Sequence, residues 1–305
     1  MSLSSTLKAM PDLELLLDEP LSRHTTFRVG GPVRCLARPR SEKALLLLLQ
    51  ELREKGLPHV VLGGGSNVLP PDRPWEAAAI QLKLACRGIL RMEESAGDSA
   101  AVYAGAGRKL GELVRYCVTN ELEGMESLAG IPGTVGGALV MNAGVPAETV
   151  SDCLVYLDLV DAEGIKRRVL KSELSPGYRS MGVPEGAVVL GGCFRFAKGS
   201  GETLKSRMQE ILQHRKRTQP LRYPSAGSIF KNPPGHSAGA LIEKAGLKGC
   251  RIGDAEISRK HANWIINRGN ALAGEIRQLI EKIENVIFGT FGVRLEREIR
   301  ILGQP

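Results

Sequence analysis

The chain has 305 residues, 43% hydrophobic and 24% charged, which suits a globular protein of two or three domains and excludes a disordered one. Its net charge of +8 sits in one region: residues 206–305 hold 17 Lys/Arg against 9 Asp/Glu, whereas residues 1–205 hold 24 of each sign. A basic final third points to an anionic partner. Nucleic acid is one candidate, but aromatic residues make up only 4% and no arginine-rich tract or recognition motif occurs, so small phosphorylated or carboxylated ligands fit better and no nucleic acid is expected.

The six cysteines (Cys35, Cys86, Cys117, Cys153, Cys193, Cys250) lie 31 to 57 residues apart, with no CxxC or Cys/His metal spacing. No metal is expected, and the thiols are expected to be reduced and mostly buried. The N-terminus has no positive region followed by an apolar stretch, and the Leu45–Leu49 run is too short to span a bilayer. No membrane association is expected, and the cytoplasm is the expected compartment.

In chain order, Val33–Ala37 reads as a short strand, and Ser41 caps a helical run over 42–55 that Gly56 stops. Leu57–Leu62 is a second strand that runs into a glycine turn. Short β-rich segments follow at 78–92 and 100–105, then a helix over 110–119. Strands at 155–160 and 166–170 flank Asp161–Gly164 as a hairpin, and 187–196 is another strand. After Lys198–Gly201, Leu204, Met208, Ile211 and Leu212 mark one face of an amphipathic helix. Beyond it the pattern predicts a Pro/Gly-rich loop (220–236), a helix (239–245), a strand (262–267), a helix (272–288) and a last strand (293–301). The fold class is α+β, in three parts: 1–84, 85–200 and 201–305.

Two glycine clusters suggest a ligand. Gly63–Leu69 reads GGGSNVL directly after an apolar strand, and glycines there let backbone N–H groups approach phosphate oxygens. It is neither a P-loop nor a GxGxxG fingerprint, and alone it is as readily a structural turn. Ser127–Gly144 reads SLAGIPGTVGGALVMNAG, with few side chains that could pack in a core and a high entropic cost of ordering. Two such loops on one β-rich scaffold suit a cofactor with both a pyrophosphate and a ring.

With Thr26–Gly31 (TFRVGG), these loops resemble the FAD-binding domain of the vanillyl-alcohol-oxidase (PCMH) type. More narrowly, they resemble the UDP-N-acetylenolpyruvoylglucosamine reductase family. The C-terminal stretches PSAGSIFKNP (224–233) and LIEKAGLKGCRIGDAEISRKHANWIIN (241–267) resemble that family's substrate domain, and the similarity runs from about Thr25 to Gly303. The resemblance implies a two-part FAD-binding domain (1–84 and 85–200) and a C-terminal α+β substrate domain (201–305). It implies FAD held by Gly63, Gly64, Gly65, Ser66, Asn67, Gly130, Ile131, Pro132, Gly133, Gly136, Gly137 and Asn142. Two stretches depart from the family pattern: Pro70-Pro71-Asp72 after the SNVL run, and Val145-Pro146-Ala147 after Asn142-Ala143-Gly144.

Catalytic candidates follow from the same resemblance. A lone Ser in a Gly/Pro loop is by itself a turn former. Ser228 gains a role because the family's chemistry needs a proton donor after hydride addition, and Lys231 with a basic domain suits a serine whose alkoxide must be stabilised. No base stands in His/Ser/Asp order for acyl chemistry. Tyr178-Arg179-Ser180 is similar to the family's Tyr-Arg-x-Ser site, which makes Arg179 the partner of the enolate charge. Its plain alternative is a surface arginine after a Pro-Gly turn.

Glu298, before Ile299, matches the family's C-terminal glutamate, with Glu296 the alternative two residues away. On the expected strand, Glu296, Glu298 and Arg300 share one face, which a solvated polar edge also explains. Tyr178, Lys231 and Asn232 are implied substrate contacts. Arg215-Lys216-Arg217 either faces the same domain's entrance or caps a helix C-terminus. His261 and Asn263 are expected to be structural or substrate-orienting.

Only residues 181–187 separate Ser180 from Val188, so the chain resembles the loop-less type of the family. NADPH is the implied reductant of FAD, and UDP-N-acetylglucosamine enolpyruvate the implied substrate. An FAD-dependent alcohol or sugar oxidase and a non-catalytic flavin-binding module are the alternatives. The 224–267 match speaks against the first, and the joint presence of Ser228, Arg179 and Glu298 against the second.

Overall fold

The computed structural model describes residues 4, 7, 9–92, 99–145 and 148–303, so Pro146 and Ala147 of the second departure lie outside the described residues. The chain folds as two compact units, both discontinuous in sequence. The first comprises residues to Leu17, Cys35–Gly64 and Ala77–Gln213; the second comprises Asp18–Arg34, Gly65–Glu76 and the chain from His214.

The first unit is built on two sheets. A four-stranded sheet orders its strands Leu13–Pro20, Pro32–Pro39, Trp75–Ile80 and His59–Val61, the last pair being parallel. A larger antiparallel sheet orders Lys166–Leu170, Leu154–Val160, Val188–Lys198, Ser99–Gly105 and Ile89–Met92, with Leu122–Glu123 pairing the end of Val188–Lys198. The helix Glu42–Glu54 forms where expected. Ser41 Oγ accepts from the Ala44 N–H at 3.2 Å, and Leu45, Leu48, Leu49 and Leu52 turn inward at helical spacing. Helix Leu110–Thr119 likewise buries Leu110, Leu113, Val114, Cys117 and Val118.

One expectation is corrected here. The glycine-rich 127–144 stretch is partly ordinary core. Leu128, Val135, Ala138 and Leu139 are buried, and Val135–Val140 is a short helix whose N-cap, Thr134, accepts from the Gly137 N–H. Its glycines are spaced so that these apolar residues still reach the core.

In the second unit, the long helix Ala273–Phe291 buries Ile276, Leu279, Ile280, Ile283 and Ile287. It packs with Phe27, Phe230, Ile229 and the small sheet Arg251–Ile252, Ala255–Ile257, Ile265–Asn267 into one apolar core. Burying each such side chain contributes about 1.5–3 kcal/mol. The helix ends at Gly292, whose φ of 67° is the left-handed conformation glycine tolerates.

The expected last strand over 293–301 is not one. Residues 293–299 are irregular apart from a bridge at Arg297, and only Arg300–Ile301 is a strand, parallel to Val68–Leu69. Glu296 and Glu298 therefore do not share a strand face. The expected strand 262–267 also shrinks to Ile265–Asn267. In both places the backbone bonds to loops instead of to a neighbouring strand, which periodicity cannot distinguish.

The Pro70-Pro71-Asp72 departure has a local structural reason. The Pro71 carbonyl accepts from the Gly31 N–H at 2.8 Å, and the Asp72 carboxylate accepts from the Ala273 and Gly274 N–H groups, each at 2.8 Å. Asp72 thus caps the long helix from a distant part of the chain, where a negative charge also suits the helix dipole. Asp72→Ala is expected to lower the unfolding free energy by about 0.5–2 kcal/mol, measured by urea denaturation. Asp72→Asn keeps one acceptor and should recover part of that loss.

Candidate active site

Within the first unit, the turn after strand His59–Val61 meets the 130–137 loop backbone to backbone. A Cβ on Gly64 would stand 2.8 Å from Gly133 Cα, and one on Gly63 would stand 2.6 Å from Thr134 Oγ1. Gly136 is confined in the same way by Ala106, whose Cβ would lie 2.8 Å away and whose carbonyl accepts the Gly136 N–H at 2.9 Å. Gly130 and Gly133 have φ of 77° and 123°, so both bends also require glycine. Gly137 differs: a Cβ there would meet only Thr134 Oγ1, at 3.7 Å. Gly63, Gly64 and Gly136 thus serve close chain-to-chain approach, whereas Gly137 has room for a Cβ.

Ser127, just ahead of this loop, is buried, and its Oγ has no hydrogen-bond partner among the described residues. A buried hydroxyl left unpaired costs about 1–3 kcal/mol, so a polar ligand atom at this point fits. The sequence alone gives Ser127 no role, because its burial is set by segments that meet in space.

Asn142 is buried with φ 41°. Its Nδ2 donates to the Gly177 carbonyl at 3.1 Å and its Oδ1 accepts from the Ser151 N–H at 3.1 Å. It thereby holds the tight turn in which Gly177 and Ser180 exchange both backbone bonds, with Tyr178 and Arg179 at the tip. Arg179 has φ 60°, a left-handed conformation that costs a non-glycine residue on the order of 1 kcal/mol. Its Nη1 donates to the Gly144 carbonyl at 3.1 Å, and its guanidinium stands 5.0 Å from the ring centre of the exposed Tyr178. Residues 181–187 form one irregular connection, with no added element before strand Val188–Lys198.

In the second unit, two chain segments run side by side. Glu298 N–H donates to the Ile229 carbonyl at 2.8 Å, and Lys231 N–H donates to the Glu296 carbonyl at 2.8 Å. The half-buried Ser228 is thus one residue from the point where Glu298 is anchored. Asn67 fixes the same segment: its Nδ2 donates to the Glu298 carbonyl at 3.0 Å, and its own carbonyl accepts from the Arg300 N–H at 3.0 Å.

Lys231 forms an ion pair with Glu296, which is 72% exposed, whereas Glu298 is half-buried. Asn232 Oδ1 accepts from the Ala238 N–H at 3.0 Å, tying it to the start of helix Ala238–Lys244. Arg215, Lys216 and Arg217 close helix Gly201–Thr218, and Lys260 Nζ donates to the Lys216 carbonyl at 2.6 Å, a cation on a helix C-terminus. Burial lowers the pKa of His261, with Lys248 adding to it, so the ring is neutral at physiological pH; its Nδ1 accepts from the Asn263 N–H at 3.3 Å.

None of the six cysteines is in a disulfide; three are buried and three half-buried. Burial pushes the Cys86 thiol up to about 11 and the Cys117 and Cys153 thiols up to about 12, so these three stay protonated and weakly nucleophilic. Among the described residues no group of three or more His, Cys, Asp or Glu could hold a metal ion, and no helix is long and apolar enough to cross a membrane.

Comparison with known proteins bears on both units. Residues 33–169 match a family model described as a FAD binding domain, and residues 219–302 match the C-terminal domain of UDP-N-acetylenolpyruvoylglucosamine reductase. A UDP-N-acetylenolpyruvoylglucosamine reductase of Syntrophobacter fumaroxidans is 54% identical over 98% of this chain and 86% of its own length. One from Moorella thermoacetica is 39% identical over 99% of this chain and 98% of its own length. The crystal structure of the Thermus caldophilus reductase superimposes with a TM-score of 0.78 at 34% identity, covering 95% of this chain and 99% of that one.

The glycine geometry is testable without any ligand. Gly64→Ala is expected to lower the unfolding free energy by about 1–3 kcal/mol through its clash with Gly133. Gly137→Ala, with room for a methyl group, is expected to leave it unchanged or to raise it by up to about 1 kcal/mol. Urea titration of both variants separates the two positions.

Proposed function

Because the chain belongs to the UDP-N-acetylenolpyruvoylglucosamine reductase family and is a FAD-dependent oxidoreductase of peptidoglycan synthesis, we propose that it reduces UDP-N-acetylglucosamine enolpyruvate to UDP-N-acetylmuramate with NADPH. The observation that carries this reading is the bond from Glu298 N–H to the carbonyl of Ile229, the residue next to Ser228, inside the region that matches the reductase C-terminal domain. By the same reading, segments 1–84 and 85–200 form a FAD-binding domain of the vanillyl-alcohol-oxidase type, residues 201–305 take the substrate, and the enzyme acts in the cytoplasm.

The first unit's residues fit a flavin cofactor. The unpaired buried Ser127 Oγ and the open side of Gly137 offer a donor and a close backbone surface. We assign the hold on FAD to Gly63, Gly64, Gly65, Ser66 and Asn67, together with Gly130, Ile131, Pro132, Gly133, Gly136, Gly137 and Asn142. When bound, FAD supplies a two-electron carrier between NADPH and the enol ether.

The remaining chemistry falls to side chains. Hydride addition to the terminal alkene carbon leaves negative charge on the second carbon, delocalised into the substrate's own carboxylate as an enediolate, and that charge must be stabilised. Arg179 supplies a planar guanidinium suited to a carboxylate, and the strained backbone at its turn is consistent with a position fixed for function. Ser228 delivers the proton to the second carbon, and Glu298 assists the enol. Tyr178, Lys231 and Asn232 contact the nucleotide sugar, with the Lys231–Glu296 pair opening to admit its diphosphate.

Two measurements test the reading. The purified protein should be yellow, bleach with NADPH under anaerobic conditions, and regain its colour on adding the enolpyruvyl substrate. Ser228→Ala should keep the NADPH step and slow recovery by about 10²–10⁴-fold; equal loss in both steps would contradict proton donation. Ser127→Ala should weaken flavin retention by about five- to thirtyfold in equilibrium dialysis, while raising apoprotein stability by about 1–3 kcal/mol because the unpaired hydroxyl is gone.

A further inference from the structure

The segment Ile229–Lys231 has all its backbone N–H groups engaged, and one side chain holds its centre. Phe230 N–H donates to Asn263 Oδ1 at 3.0 Å, and Asn263 Nδ2 donates to the Phe230 carbonyl at 2.8 Å. The Ile229 N–H donates to the Asn263 carbonyl at 2.9 Å. On the opposite flank, Glu298 N–H and Ile299 N–H both reach the Ile229 carbonyl, at 2.8 and 3.3 Å, and Lys231 N–H reaches Glu296. Asn263 is 4% exposed and Phe230 1%, so these bonds form away from water, where leaving either partner unmade is costly.

A carboxamide offers one acceptor and one donor side by side, as a neighbouring peptide group does. Asn263 therefore substitutes for a strand at a place where the sheet strand Ile265–Asn267 has not yet begun. The other end of Ser228 is different. Gly227 has φ 78°, and a Cβ there would meet nothing within 4 Å. Upstream, Ser225 N–H donates to the Thr26 carbonyl at 3.1 Å, but the residue directly before Ser228 is the permissive Gly227, so the bonded segment directly after it is the nearer constraint on the serine.

We infer that Asn263 is a positioning residue for Ser228, setting where its hydroxyl stands relative to the Glu298 segment. This rests on the reading of Ser228 as proton donor. The role differs from simple core packing, since an apolar side chain of similar size would fill the space but would leave both Phe230 groups unpaired.

The test uses the flavin-loaded full chain and reads both half-reactions by stopped flow for wild type, Ser228→Ala, Asn263→Ala and the double variant. Asn263→Ala is expected to slow reoxidation by substrate about 10–100-fold and to leave reduction by NADPH within about twofold. It should also raise the solvent deuterium isotope effect on reoxidation. In the Ser228→Ala background the same change should cost less than about threefold further, because the group it positions is already gone. Should Asn263→Ala not fold, Asn263→Ser, which keeps a donor and an acceptor on a shorter stem, carries the same comparisons. Parallel slowing of both half-reactions, full additivity in the double variant, or no slowing at all would overturn the positioning role. Wild-type reoxidation in Ser228→Ala alone would instead overturn the proton-donor reading, and the inference with it.

Discussion

The second unit depends on eight residues that come to it from far away in sequence. From Gly65 to Asp72 the chain forms a seam of hydrogen bonds with three other segments of that unit. The Gly65 carbonyl takes the Thr26 N–H, Asn67 holds Glu298 and Arg300, the Leu69 carbonyl takes the Leu302 N–H, and the Pro71 carbonyl takes the Gly31 N–H. Asp72 then caps the long helix. Gly65 has to be glycine for the same reason, since a Cβ would stand 2.0 Å from the His24 carbonyl oxygen. A segment so thoroughly bonded has little freedom to move alone, and it holds the backbone of the proposed catalytic residue Glu298 in place.

Asparagine recurs as the means of fixing irregular backbone. Asn67, Asn142, Asn263 and Asn267 each direct side-chain groups at main-chain partners, and the last three are buried. Asn267 Nδ2 donates to the Phe27 carbonyl at 3.0 Å, and its Oδ1 accepts from the Gly269 and Ala271 N–H groups. Buried loops carry polar groups that no strand satisfies, and a carboxamide can serve a donor and an acceptor together. Proposed catalytic residues stand beside such fixed points: Arg179 lies at the tip of the turn held by Asn142, and Ser228 precedes the segment held by Asn263.

Much of the regular structure was legible beforehand, because capping and periodicity act locally. Ser41 and Gly56 bounded a helix that forms as Glu42–Glu54, and the apolar spacing after 272 gave Ala273–Phe291. The hairpin around Asp161–Gly164 also forms, with Val160 opposite Lys166. Strand Leu13–Pro20, by contrast, was passed over, since LLL followed by Asp-Glu-Pro has no alternation. The terminal strand was overestimated because its alternating charges resemble a half-exposed strand, whereas its backbone pairs with loops over most of its length.

The site divides along the same line. The sequence by itself determined the family, the flavin-type glycine loops and the candidates Ser228, Arg179 and Glu298, because those signals are carried by residue identity and order. Only the tertiary structure decided why the glycines are needed, since Gly63, Gly64 and Gly136 face other parts of the chain and Gly137 has room for a Cβ. It also paired the exposed Glu296 with Lys231 and left Glu298 half-buried, and it gave Ser127, Asn142 and Asn263 their surroundings. Burial and hydrogen-bond partnership are properties of segments that meet in space, and no spacing along one chain encodes them.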